Sequence, residues 1–295
     1  MTKVIQLTNI AKRYGAQTAL SALNMQVPEG AVYGLLGQNG AGKSTCLRLI
    51  MGLLRADAGQ IQILGQNAEQ LSAETRQQIG YSSESMRVVP WLTVAQALNY
   101  TRSFYPDWDS DYVNNWLKKL ELNPAARVFS LSRGNRQKLG LIMAIGHRPK
   151  VLILDEPAGG LDPIARRIFL ESMIELLHES GTTIVISSHQ MQDLERICDH
   201  VGVINHGRMQ AEGELEQFKL QTRRLRVMQS QPLPELGLSV IHHLQGQQSG
   251  EWVVNNWSPE LEQRVRSSVA AEYLQVDALS LEEIFVYHAR QGVAA

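Results

Sequence analysis

The sequence lacks the features that mark disulfide-rich secreted proteins, membrane-spanning chains and strongly basic nucleic-acid binders. It has two cysteines, Cys46 and Cys198, which are too few and too far apart for a disulfide framework or a zinc site. No run of about 18 apolar residues occurs, and there is no apolar signal core in MTKVIQLTNI, so we expect a chain that is neither exported nor membrane-spanning. Lys and Arg total 28 against 29 Asp and Glu, so the chain has no net positive charge that would attract nucleic acid or an anionic membrane surface. Any charged ligand must be bound by a local site.

A glycine-rich segment with one lysine lies between two apolar stretches. It reads GQNGAGKST at residues 37–45, after VYGLL and before CLRLIMGLL, and the pattern predicts a strand, a phosphate-binding loop and a helix. Glycines let backbone N–H groups approach phosphate oxygens closely, and the positive end of the helix dipole adds attraction. Lys43 would reach the terminal phosphates, and the Ser44 hydroxyl would ligate Mg²⁺. The predicted phosphate-binding residues are Gly37, Gln38, Asn39, Gly40, Ala41, Gly42, Lys43, Ser44 and Thr45.

Two adjacent acids follow a second apolar stretch, in VLILDEP at residues 151–157. Four consecutive apolar residues predict a strand buried on both faces, so Asp155 and Glu156 would emerge at its carboxyl end. The alternative is that both acids face solvent in a loop. Because two adjacent carboxylates at a buried strand end are costly without a cation, we predict Asp155 as a Mg²⁺ ligand and Glu156 as the group that polarises an attacking water.

A third segment, LSRGNRQKL at residues 131–139, places a serine and a glycine among three cations. A hydroxyl and bare backbone N–H groups can bind an oxyanion, and the cations would favour negative charge nearby. The same pattern is typical of a solvated helix start that is capped by Ser132. The segment alone does not decide between these two interpretations.

Taken together, the motifs resemble those of one family. The order and spacing of GQNGAGKST, LSRGNRQKL, LILDEP, GGLDP and ISSH are similar to those in the ATP-binding subunits of ABC transporters, over roughly residues 4–215. The resemblance implies an α/β P-loop cassette with a central parallel sheet and flanking helices, an antiparallel β subdomain, and a helical signature subdomain at about residues 90–145. It also implies ATP and Mg²⁺ as ligands.

The resemblance assigns further residues. LSRGN becomes the signature motif, and Ser132 and the backbone at Gly134 would contact a nucleotide held by a second chain packed head to tail. Asp162, in the D-loop GLD, would also belong to the nucleotide-binding residues. His189 would be the switch histidine and, with Lys43 and Glu156, would belong to the catalytic set. Tyr14 in KRYG matches the aromatic that stacks on adenine, although an ordinary strand-end tyrosine is the alternative.

The sequence departs from the family's pattern at two positions. The first glycine of the usual signature pair is Arg133 here, so close backbone approach rests on Gly134, and the added cation would lie near the γ-phosphate or on the surface. The second departure is Glu84, which stands by position where the family has a glutamine that contacts Mg²⁺ and the membrane partner. A carboxylate there adds negative charge beside the metal, which makes coupling to the partner the better-supported role of Glu84.

Two regions outside the motifs also have recognisable patterns. Residues 94–126 have helical periodicity that is interrupted at Pro106. After the motifs stop, residues 223–228, 238–244 and 251–257 alternate like short strands, and residues 258–271 and 280–290 have helical patterns that begin at serine caps. We therefore predict a cassette over residues 1–218 and a small C-terminal α+β accessory domain over residues 219–295.

Two functions follow from the resemblance. The first is an ATP-hydrolysing subunit that drives transport through a separately encoded membrane permease, and export is the expected direction. This subunit would be cytoplasmic and bound to the inner face of the cell membrane. The alternative is a soluble ATPase of the same family that acts on DNA or ribosomes. One P-loop, no heptad array and no basic stripe favour transport, and no nucleic-acid partner is expected.

Overall fold

A computed structural model describes residues 2–83, 87–228, 236–246, 249–268 and 273–291. The chain divides into two compact units, Met1–Met209 and Gln210–Ala295. The sequence prediction places a domain boundary later, after residue 218. Among the described residues, none of the helices combines the length and the apolar character needed to cross a bilayer.

The first unit contains strands in two sheets and several helices. Its strands are β1 (Lys3–Tyr14), β2 (Gln17–Pro28), β3 (Val32–Leu36), β4 (Ala58–Ile63), β5 (Gln66–Asn67), β6 (Ile79–Ser83), β7 (Val151–Asp155), β8 (Thr183–Ser188) and β9 (His200–Asn205), and β10 (Arg208–Glu214) crosses the division. Its α-helices are α1 (Lys43–Ile50), α2 (Ala73–Arg76), α3 (Val94–Arg102), α4 (Ser110–Lys119), α5 (Arg133–Ile145), α6 (Pro163–Ser180) and α7 (Met191–Ile197).

The central sheet has the strand order β10-β9-β3-β8-β7-β6. Neighbouring strands from β9 to β6 pair in parallel, and every residue of β3, β7 and β8 is buried. Parallel strands buried on both faces need continuous apolar runs, which explains why VYGLL and VLIL read as strands in the sequence. Their carboxyl ends meet at one edge of the sheet. There the glycine loop follows β3, Asp155 ends β7 with Glu156 next, and His189 follows β8.

A second sheet is antiparallel, with the strand order β2-β1-β4-β5. In β2 the apolar residues Leu23, Met25 and Val27 are buried and alternate with exposed ones, as expected for a strand with one face on the core. Tyr14 lies at the end of β1. This sheet is the antiparallel β subdomain that the family resemblance implies.

The predicted interruption of helical pattern at Pro106 is confirmed, because Pro106 lies between α3 and α4. Thr93 and Gln96 form a capping box at the start of α3. In the connection, Tyr105 stacks on His147 with ring centroids 3.9 Å apart. Burial lowers the pKa of His147 to about 4, so the stacked imidazole is neutral at pH 7 and packs as an uncharged ring.

The second unit is α+β. It contains α8 (Leu215–Gln221), β11 (Arg223–Val227), β12 (Val240–Gln245), β13 (Gly250–Val254), α9 (Pro259–Ser268), β14 (Leu274–Ala278) and α10 (Leu281–Gln291). The strands pair antiparallel in the order β12-β13-β11-β14. Consecutive residues of β13 point to opposite faces, so Trp252 packs in the cluster with Leu261 of α9, and Val253 packs in the cluster with Ile284 of α10. The prediction omitted β14.

Candidate functional site

The glycine loop after β3 needs glycine at specific positions. Gly42 has φ +107°, and an added Cβ there would lie 2.8 Å from the Ala19 carbonyl oxygen. An added Cβ at Gly37 would lie 2.7 Å from the Ile204 carbonyl oxygen. No side chain fits at either position without moving backbone. The loop is therefore held tightly against its neighbours, and its N–H groups and the start of α1 are available to an anion.

Lys43 is the cation of this loop, and it is only 5% exposed. Its Nζ donates to the Gly37 carbonyl oxygen at 2.7 Å and to that of Gln38 at 3.3 Å. It also forms an ion pair with Glu156 Oε1 at 3.2 Å. A buried ammonium needs such partners, and they fix the charge at the mouth of the loop.

Asp155 ends β7 with a buried carboxylate. Its Oδ1 accepts hydrogen bonds from Ser44 Oγ at 3.0 Å and from Ser187 Oγ at 2.8 Å. Among the described residues there is no cluster of three or more His, Cys, Asp or Glu that could hold a metal. Mg²⁺ does not require such a cluster, because it is commonly held by one or two carboxylates together with substrate phosphates and water. The Ser44 hydroxyl and the Asp155 carboxylate fit that ligand set.

Glu156 has an unusual backbone conformation for a residue with a side chain, with φ +51°. Its N–H donates to Ser187 Oγ at 3.0 Å, and its Oε2 lies 2.8 Å from His189 Nδ1. A left-handed conformation costs about 1–3 kcal/mol and persists where surrounding contacts enforce it. Here it turns the carboxylate towards Lys43 and His189.

The glycine loop, Lys43, Ser44 and Glu156 border a cleft of 390 Å³, which we call the nucleotide cleft. Its lining residues are Tyr14, Gln17, Ala19, Gln38, Asn39, Gly40, Gly42, Lys43, Ser44, Thr45 and Glu156. Tyr14 is 48% exposed, which leaves its ring accessible for stacking. The cleft thus combines the glycine loop and the Glu156 carboxylate with an accessible aromatic ring, and Asp155 lies behind it in contact with Ser44.

Ser132, Gly134 and Asp162 do not border the nucleotide cleft within the described residues. Ser132 is exposed and caps α5, because its Oγ accepts from the Asn135 N–H at 3.1 Å. Asp162 caps α6, and the hydrogen bond from the Ala165 N–H lowers the pKa of its carboxyl. Both interpretations of the signature segment remain compatible, since a capped helix start is still open to a ligand from outside the chain.

The two departures from the family's pattern have different outcomes. Arg133 is exposed, and its side chain lies over the D-loop of the same chain, with Cδ 2.7 Å from the position of an added Cβ at Gly160. Of the two predicted places for the Arg133 cation, the structure shows the one on the surface, in contact with Gly160. Glu84 lies outside the described residues, so its predicted metal or coupling role stays a prediction.

Sequence reasoning assigned no site role to two polar residues around Glu156, although it noted that Gln137 follows the signature motif. Ser187 bridges Asp155 and the Glu156 N–H, and Gln137 donates from Nε2 to the Glu156 carbonyl oxygen at 3.4 Å. A polar residue at the carboxyl end of the apolar strand TIVISS was a usable signal for Ser187. Nothing in the periodicity of α5 distinguished Gln137 from a core position.

Comparisons with known proteins point to one family. The family model described as ABC transporter matches residues 20–159. The chain is similar to a bacitracin transport ATP-binding protein of Bacillus licheniformis, with 34% identity over 76% of this chain and 74% of the relative. It is also similar to a Nod factor export ATP-binding protein of Burkholderia orbicola, with 39% identity over 71% of this chain and 70% of the relative.

A solved structure described as an ATP-binding subunit of an ABC transporter has the same fold. It aligns with a TM-score of 0.67 and 29% identity, over 73% of this chain and 92% of that one. The predicted α/β cassette fold is confirmed by this likeness. The chain therefore belongs to the ABC transporter family, in which it is an ATP-binding, ATP-hydrolysing subunit.

Proposed function

We propose that this subunit uses the nucleotide cleft to hydrolyse ATP and that Lys43, Ser44, Asp155, Glu156 and His189 carry the reaction. The observation that supports this most directly is their convergence at one edge of the central sheet, with Glu156 in contact with both Lys43 and His189. Backbone N–H groups of residues 37–45 and Lys43 hold the phosphates. Tyr14 stacks on the adenine.

Each remaining residue has a separate task in this proposal. Ser44 and Asp155 hold Mg²⁺, which supplies positive charge for the phosphate oxygens. Glu156 accepts the proton of the attacking water, and His189 keeps the carboxylate in place through Nδ1. The D-loop residue Asp162 belongs to the surface that meets a second chain.

We further propose that two cassettes pair head to tail. Ser132 is exposed at the start of α5 and lies away from the nucleotide cleft of its own chain, which suits contact with a nucleotide from outside. The hydroxyl of Ser132 and the backbone at Gly134 would then bind the phosphates of ATP held by the partner chain.

Mixed subunits test this pairing. Subunits with Ser132→Arg and subunits with Lys43→Ala should each be inactive alone, because every composite site contains a lesion. In a mixed dimer both lesions fall in one site and the other site is intact, so ATP turnover should recover to a substantial fraction of wild type. Activity that stays absent on mixing, while both variants fold and associate, would rule out the trans arrangement.

The membrane partner needs a surface of its own, and we propose the apolar cleft of 290 Å³ bordered by Met51, Leu53, Leu71, Tyr105, Met143 and Ala144. Beside it Tyr100 and Phe104 are 62% and 57% exposed and contact each other edge to face. Exposed apolar groups of this kind mark interaction sites. A separately encoded permease docked here would hold the chain at the inner face of the membrane, and the export named for one relative supports export.

Membrane association provides the measurement for that surface. In cells that contain the native permease, Tyr100→Asp with Phe104→Asp should move most of the chain from the membrane fraction to the soluble fraction. Basal ATP turnover of the purified chain should stay within about twofold, because surface substitutions away from the reacting groups have small effects. Tyr273→Asp, the same change in the second unit, serves as the control. Unchanged membrane association would refute this docking surface.

We also propose that residues 219–295 act as an accessory domain. Their antiparallel sheet and two helices have buried apolar clusters of their own, as expected for a region with its own core.

A further inference from the structure

The strained backbone of Glu156 is held from three directions. Its N–H donates to Ser187 Oγ, while its carbonyl oxygen accepts from the Gly159 N–H at 3.2 Å and from Gln137 Nε2 at 3.4 Å. Because a non-glycine residue at φ +51° stays there only while its surroundings enforce it, these contacts determine where the carboxylate points. Of the three partners, Gln137 is the one that comes from the signature helix α5.

Gln137 is an expensive choice for packing alone. It is 9% exposed, and its Oε1 has no hydrogen-bond partner in the described part of the chain. A buried amide oxygen that is left without a hydrogen bond destabilises the folded state, because its desolvation is not compensated. A methionine of similar length would fill the same space without that cost but could not donate to Glu156. The side chain therefore serves its donor function at the expense of stability.

The start of α5 touches the segment after Glu156 at further points. An added Cβ at Gly134 would lie 3.0 Å from Leu161 Cδ2, and Arg133 lies over Gly160. Arg133 and Gln137 occupy positions i and i+4 of α5, which share one face of the helix. Since a helix moves as a rigid element, a displacement of its signature end is transmitted to the segment from Glu156 to Leu161.

We propose that Gln137 is a positioning residue for hydrolysis, which links the signature motif of a chain to Glu156 of the same chain. Contact of Ser132 and Gly134 with the partner's nucleotide fixes the position of α5. The hydrogen bond from Gln137 then fixes the Glu156 carbonyl group relative to α5. Each chain's carboxylate is thus aligned by what its own signature binds in the other chain. This inference rests on the proposed roles of Glu156 and Ser132.

Single variants separate positioning from packing. Gln137→Met and Gln137→Glu both keep the length of the side chain and remove the donor. Turnover should fall about tenfold or more in each, because small misplacements of a reacting group have effects on that scale, while the KM for ATP should change less than about twofold. The melting temperature of Gln137→Met should equal or exceed that of wild type. Gln70→Met, an exposed glutamine changed in the same way, is the control. Wild-type turnover in Gln137→Met, or a loss that follows a lower melting temperature, would overturn the proposal.

Mixed dimers of full-length chains then show which site depends on Gln137. In the first, one chain carries Gln137→Met and Glu156→Gln together, and its partner is wild type. In the second, one chain carries Gln137→Met and the other carries Glu156→Gln, so the remaining carboxylate lacks its donor. The first should retain about the turnover of a dimer with a single Glu156→Gln, and the second should fall about tenfold below it.

The outcomes distinguish this inference from the function on which it rests. Equal turnover of the two mixed dimers, or a loss confined to the first, would overturn the role of Gln137 while leaving Glu156 as the base. A Glu156→Gln homodimer that hydrolyses ATP normally would overturn both, since no carboxylate would then need positioning.

Discussion

Replacing Glu156 with glutamine is expected to lower ATP hydrolysis by a factor of roughly 10² or more, the scale for removing a positioned general base. Glutamine keeps the size of the side chain but lacks the oxygen that accepts the proton. ATP affinity should survive, because Lys43, Ser44, Asp155 and the glycine loop still hold the phosphates. With hydrolysis blocked, the variant should elute as a dimer with ATP and Mg²⁺ and as a monomer without them.

Asp155→Asn is the matched comparison, since it makes the same chemical change one residue earlier. The Asp155 carboxylate accepts a hydrogen bond from Ser44, whereas that of Glu156 contacts Lys43 and His189. The expected defect of Asp155→Asn is therefore a higher Mg²⁺ requirement for ATP binding. Turnover and ATP-dependent elution of the two proteins separate the roles. If Glu156→Gln hydrolyses ATP normally and never dimerises, the assignment of Glu156 is wrong.

Lys43→Ala should abolish most ATP binding and lower hydrolysis by roughly 10²-fold or more, as expected when a preorganised donor to a reacting group is removed. The loss has two physical causes. The phosphates lose the ammonium that the loop carbonyl groups hold in place, and the Glu156 carboxylate loses its cation at 3.2 Å. Nucleotide titration and turnover of the purified chain provide the measurement.

Lys119→Ala is the control for charge, because Lys119 forms its ion pair with Glu175 on the surface. It should leave nucleotide binding unchanged and alter stability by no more than about 1 kcal/mol, the usual limit for an exposed pair. Normal ATP binding and turnover in Lys43→Ala would show that Lys43 has no role in the site.

The parts of the site that could be predicted are those fixed by local sequence. Glycines around Lys43 and acids after VLIL follow directly from what a tight loop and a buried parallel strand require, and both lie where the sequence predicts. Their convergence depends on strand order, which the family resemblance supplied. The helical character of this region and its interruption at Pro106 followed from periodicity, but the ends of α3 and α4 did not.

The contacts that escaped prediction depend on tertiary packing. Gln137 reaches Glu156 only because the fold brings α5 against the residue that follows β7, and no pattern within α5 reports that contact. Strand β14, LQVDA, has no clear alternation of exposed and buried residues and forms mainly because β11 pairs with it. Such elements are stabilised by neighbours rather than by their own composition.

Ser187 makes the positions of Asp155 and Glu156 depend on how β7 and β8 pair. Its hydroxyl donates to Asp155 and accepts from the Glu156 N–H, and it sits opposite Asp155 in the register between β7 and β8. A slip of one residue would turn this hydroxyl to the other face of the sheet and leave both acids without their shared partner. A chain with the wrong register would form an intact glycine loop and still be inactive. The placement of the two acids is therefore fixed during folding, when β7 and β8 pair.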